Sequence, residues 1–119
     1  MSISDTLAAR TRDAVNDLNI LSILQPAGAL KPDVRAAWMR GAQAARGAAL
    51  ALAPAGGDRP GTLPTAENVR RALDLLTASA QAFYSAQEMA GVTGLLGDWF
   101  GYQARSAEAI RSTVETLAD

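Results

Sequence analysis

Apolar residues in this chain recur at alternating spacings of four and three in four separate stretches, with prolines and glycines falling between them. That period follows the 3.6-residue turn of an α-helix and not the two-residue period of a strand. No stretch alternates apolar and polar residues between turn signals, so no strand is predicted.

The first stripe is Ile3, Leu7, Thr11, Ala14, Leu18 and Leu21. Ser2 is a suitable N-cap and Asp5 completes a capping box, while Pro26 disfavours helix in the residue before it. This gives a helix over 3–24. Pro32 and Asp33 suit the first turn of a second helix, 32–53, because one lacks an N–H and the other is negative where the helix dipole is positive. Thr65 caps a third helix, 66–90, with Val69, Leu73, Leu76, Ala80, Phe83 and Ala90 on its stripe and Gly91 at its end. Phe100, Gln103, Ala107, Ile110, Val114 and Leu117 mark a fourth over 97–118. Residues 54–64, PAGGDRPGTLP, read as a flexible loop. Helices of about 20 residues, each roughly 30 Å long, with fairly short connections predict one domain over 1–119. Its expected form is an all-α, antiparallel up-down-up-down four-helix bundle. The alternative is a pair of open helical hairpins whose core is completed by dimerisation.

The second stripe, Val34, Trp38, Gly41, Ala45, Ala48 and Leu52, is unusual because its middle is small. Gly41, Ala45 and Ala48 form a seam that lets a neighbouring helix approach closely and that a larger side chain would overpack. Ala supplies much of the 49% hydrophobic content and aromatics only 5%, so the core buries little area per residue. Self-association would relieve that shortage.

Histidine and cysteine are both absent. This removes the imidazole base, the Ser-His-Asp triad, zinc sites built from those ligands and the Glu-x-x-His pattern of di-iron bundles. Glycines 91, 94, 97 and 101 do not form G-x-G-x-x-G and no Gly-Lys-Ser/Thr follows them. Carboxylates remain: Asp13 with Asp17, and Glu108 with Glu115, share helix faces and read as solvated. A carboxylate enzyme would need Asp98 or Glu88 buried in a cleft with a raised pKa. The expectation is therefore no enzyme, no catalytic residue, no cofactor and no bound metal.

Eleven bases balance twelve acids, and no global pull toward nucleic acid or an anionic membrane follows. The charge is nevertheless divided. Residues 31–71 hold seven bases against three acids, a surplus of four, and residues 72–119 hold two bases against six acids, a deficit of four. No helix presents Asn, Gln or Arg at successive base-contact positions, so the division points to complementary surfaces within the bundle or between copies packed head to tail. The bases of the second helix, Arg35, Arg40 and Arg46, are candidate interface residues, and nucleic acid is not an expected partner. The longest uncharged stretches, Leu18 to Leu30 and Leu75 to Gln87, fall short of the about 20 residues a membrane span needs. MSISDTLAAR has no apolar leader core, so a soluble, cytoplasmic protein is expected.

Five of the six aromatics, Phe83, Tyr84, Trp99, Phe100 and Tyr102, lie within 20 residues and should gather at one end of a hairpin around 91–97. Tyr84, Trp99 and Tyr102 flank the core stripes and are candidate interface anchors. Trp99-Phe100-Gly101 resembles the W-x-G turn of small secreted helical-hairpin proteins over those three residues only, and secretion is not carried over.

These features predict a protein-interaction or assembly module, self-associating or bound to a protein partner. The Arg, Ala and Gly bias suggests a bacterial or phage genome, and a phage-like or secretory particle or a small accessory subunit are possible settings. The alternative function is a bundle holding a small apolar ligand between the third and fourth helices near Phe83 and Phe100.

Overall fold

A computed structural model describes residues 3–25, 30–53, 63–91 and 94–117, with side chains from Thr6 onward. It contains four helices: α1 (Ile3–Leu21), α2 (Pro32–Leu52), α3 (Ala66–Ala90) and α4 (Leu95–Glu115). No strand occurs among the described residues. Each helix packs on its neighbours in sequence, and α4 closes the ring against α1. Gly41 faces Phe83 while Gly47 faces Leu75, so α2 and α3 are antiparallel. Gln87 reaches Gly97 and Thr77 meets Arg111, which sets α3 against α4 in the same way. The result is an antiparallel four-helix bundle of 46 × 23 × 22 Å. Because the ring closes within one chain, the open-hairpin alternative is not adopted.

Helix ends follow the local chemistry; α2 ends at Leu52, one residue before the expected 53, and three further shifts separate the structure from the sequence expectation. Pro32 stands in the first turn of α2, and Asp33 Oδ1 accepts from the Val34 amide at 2.9 Å. Thr65 caps α3 by accepting from the Asn68 amide at 3.1 Å. Gly91 ends α3 at φ 97°, a backbone angle that side-chain-bearing residues rarely adopt. The first shift is in α1, which stops at Leu21 rather than 24. Beyond it the Ser22 hydroxyl donates to Asn19 O, and the Leu24 carbonyl is turned toward α4, where two side chains donate to it. In the second, α4 begins at Leu95, two residues before the expected start, so Trp99-Phe100-Gly101 lies inside a helix and not in a turn. The third is its end at Glu115 rather than 118. Ser2 and residues 54–62 lie outside the described residues, as therefore do the proposed first N-cap and most of the flexible loop.

The small seam of α2 has its expected place. Gly41, Ala45 and Ala48 are buried, and the Phe83 ring of α3 lies directly against Gly41. With no side chain on Gly41, its carbonyl is open to a neighbour, and the buried Ser79 hydroxyl donates to it at 2.8 Å. Two helices thus meet through a ring on a bare backbone and one hydrogen bond. No buried side-chain nitrogen or oxygen lacks a partner among the described residues.

Candidate functional site

All six aromatics gather at the end of the bundle where α1 and α3 finish and α2 and α4 begin. Phe83 and Phe100 have no exposed surface and plug the core there. Trp38, the sixth, joins them across α2. Its indole N–H donates to Gln103 Oε1 at 3.1 Å, and the Gln103 amide donates in turn to Leu24 O at 3.0 Å. Trp99 also donates to Leu24 O, at 3.2 Å. One fully buried glutamine therefore ties α2, α4 and the end of α1 together. Its position on the apolar stripe of α4 marked it as inward-facing; its partners were not legible, since they are 65 and 79 residues away.

Tyr84, Trp99 and Tyr102 all reach the surface, at 37%, 39% and 59% exposure. Tyr84 sits apart from the other two, at the α3–α4 seam, where its hydroxyl donates to Glu108. That hydrogen bond chiefly, followed by desolvation and the Glu108 charge, raises the phenol above its ordinary 10.0, while Arg105 opposes the shift. Trp99 and Tyr102 lie on one stripe of α4 that begins with Leu95, itself 90% exposed. Across the α1–α4 seam stand Ile20 and Ile23, both exposed. Five large apolar side chains thus share one corner of the molecule, a patch of the kind that marks association surfaces.

This patch continues into a groove along α1 and α4. A cleft of about 380 Å³ is walled by Asp17, Ile20, Leu24, Tyr102, Ser106 and Ile110. A second, of about 230 Å³, shares Asp17 and Ile110 with it and extends to Arg10, Asp13 and Thr113. The groove exists because α4 turns small residues, Ser106 and Ala109, toward α1, and the two helices pack sparsely there. Two further clefts lie on α2–α3 around Leu50 and Leu75, and at the start of α3 beside Leu117. Phe83 and Phe100 line none of these four.

Arg35, Arg40 and Arg46 are exposed on α2. Among the described residues the one ion pair is Arg111 with Glu115, so the arginines of α2 are not neutralised by any described acid. Glu108 and Glu115 have separate partners, Tyr84 and Arg111, and do not act as a pair. Asp13 and Asp17 are exposed at the rim of the groove, and Glu88 and Asp98 are also exposed. No group of three or more acids that could hold a metal occurs among the described residues. No described helix is long and apolar enough to cross a membrane. Compared with family models, curated proteins and solved structures, the chain has no match.

Proposed function

We propose that this chain is a non-enzymatic helical assembly module that associates with copies of itself. The observation that carries this reading is the shared corner of Ile20, Ile23, Leu95, Trp99 and Tyr102. These are large apolar groups left in water at the end of a bundle whose own core is already filled. Solvated isolated leucines or isoleucines are ordinary, but two aromatics and three aliphatics around one seam are the composition of an interface centre. Glu88 and Asp98, the carboxylates that a cleft acid would draw on, are both exposed, which supports a non-enzymatic reading. A structural role in a particle, or as a small subunit of a larger assembly, is consistent with this surface.

Light scattering on the purified chain tests the reading. The wild type should exceed its 12.4 kDa monomer mass as concentration rises. Trp99→Ala and Leu95→Ser should shift it back toward the monomer with helical content unchanged. Leu95→Ser is the cleaner variant, because that side chain touches almost nothing within the bundle. A wild type that stays monomeric up to millimolar concentration, or a Leu95→Ser protein that associates undiminished, would refute the proposal.

A further inference from the structure

Two surfaces of the bundle, one between α1 and α4 and one on the outer face of α2, complement each other in charge. The first is the α1–α4 groove. Its α4 wall is uncharged, through Tyr102, Ser106, Ala109 and Thr113, and its α1 wall carries Asp13 and Asp17 against a single base, Arg10. Along α1 from Arg10 to Leu21 it runs for roughly 16 Å at 1.5 Å per residue, and it continues to Leu24 beyond the helix end.

The second surface is the outer face of α2. At 100° per residue, Arg35, Met39, Arg46 and Leu50 fall within about 60° of one another. All four are exposed, Met39 at 41% and Leu50 at 58%. Arg40 borders this stripe on its other side. The face is therefore a ridge of two apolar side chains flanked by bases that have no described acid partner.

The register of the two surfaces also agrees. The apolar part of the groove centres on Ile20 and Tyr102, and Asp17 and Asp13 lie three and seven residues back along α1, about one and two helical turns away. On α2, Met39 and Arg46 are seven residues apart on one face, or about 10 Å. With Met39 against Ile20 and Tyr102, a helix running antiparallel to α1 brings Arg46 to Asp13 and Asp17. We infer that the α1–α4 groove receives the α2 face of a second copy of this chain, with Met39 in its apolar part and Arg46 on the Asp13–Asp17 pair.

This inference rests on the self-association proposed above and specifies its geometry. The two surfaces are different, and α2 stands diagonally across the ring from α4. A copy that offers its α2 face to one neighbour and its groove to another continues the association into rings or filaments, whereas two copies that exchange both contacts close a dimer. Because α2 of a neighbour would run antiparallel to α1, as the chain's own α2 does, successive copies keep the same polarity. The contact joins opposite charges at its rim, so rising salt weakens it.

Paired charge reversals test the inference. Asp17→Arg and Arg46→Asp both alter exposed side chains, and circular dichroism should show each folded. Each protein alone should associate about tenfold or more weakly than wild type in sedimentation velocity, because like charges then face each other. Mixed in equal amounts they should recover wild-type assembly, since every groove meets an oppositely charged α2. Wild type that assembles while the reversals change nothing, or while the mixture stays dissociated, overturns the groove contact and leaves self-association standing. Wild type that remains a monomer at every concentration overturns both.

Discussion

Gly41→Ala adds one methyl group to the middle of α2, a change that in an uncrowded helix stabilises by roughly 0.5–1 kcal/mol. In this bundle the new Cβ would stand 2.6 and 2.7 Å from Cε1 and Cδ1 of Phe83 and 3.0 Å from its Cζ. Contacting carbons prefer about 3.5–4.0 Å, so the ring or the helix must move by roughly 1 Å. Phe83 has no free surface to move into, and separating the helices stretches the 2.8 Å bond from Ser79 to Gly41 O. Overpacking costs about 1–3 kcal/mol and the hydrogen bond about 1 kcal/mol more, against a helix-propensity gain of about 1 kcal/mol. The net expectation is a loss of roughly 1–3 kcal/mol. With an m-value of about 1–3 kcal/mol per M, the urea midpoint should fall by roughly 1 M. Gly47→Ala is the matched control. Its Cβ meets only the flexible end of Leu75, at 3.2 Å, and the midpoint should hold or rise. Phe83→Leu should cost less in the Gly41→Ala background than in wild type, because the two changes relieve one another. Gly41→Ala and Gly47→Ala proteins of equal stability would refute the reasoning that a ring rests on the bare backbone.

Gln103→Leu should destabilise by about 2–3 kcal/mol, since it leaves the buried Trp38 indole N–H without an acceptor. Hydrogen exchange should quicken at the end of α1, where Leu24 O loses one of its two donors, and unchanged exchange there would show that Gln103 does not hold α1. Tyr84 binds its proton more tightly in the folded than in the unfolded chain, so its contribution is complete below about pH 10 and is lost as pH rises through the folded value. The phenolate absorbance present in wild type and missing from Tyr84→Phe should titrate with its midpoint above pH 10.0; a midpoint at or below that value would show that Glu108 does not hold the phenol.

The helical architecture was legible because burial imposes a period. Every residue on the second stripe, from Val34 to Leu52, is buried. The tightness of that seam could also be read, because only a missing side chain permits such an approach. Ser79 was not identified as a core residue. A serine at an inward position gives no apolar signal, and its partner is a backbone carbonyl 38 residues away. The end of α1 was misplaced for a related reason. Local propensity sets where a helix weakens, and beyond Leu21 the Leu24 carbonyl is bonded by Trp99 and Gln103 of α4, partners that no local sequence signal announces. The start of α4 was placed two residues too late because the glycines at 91, 94 and 97 read as a turn leading into a glycine-weakened helix start. Gly97 and Gly101 are both buried within α4 instead. A Cβ on Gly101 would lie 2.5 Å from the Gln87 amide nitrogen, which donates to Gly97 O. The aromatic corner could be foreseen from clustering in sequence, but the groove could not. It depends on how sparsely α1 and α4 pack, a property of the assembled ring.

Small residues act in opposite ways on the two sides of this bundle. Between α2 and α3, Gly41 is matched by a large partner, so the loss of side-chain volume draws the helices together and the space is filled by Phe83. Between α1 and α4, Ser106 and Ala109 have no such partner, and the same loss of volume leaves a groove open to water. An alanine-rich core provides limited burial for 119 residues, and the groove marks where more apolar area can still be covered without disturbing the packed side. A second copy docked there would cover Ile20 and Tyr102 while leaving the Phe83–Gly41 contact untouched. Stability of the monomer and strength of assembly should therefore respond to different substitutions, with Gly41 governing the first and Asp17 with Arg46 the second.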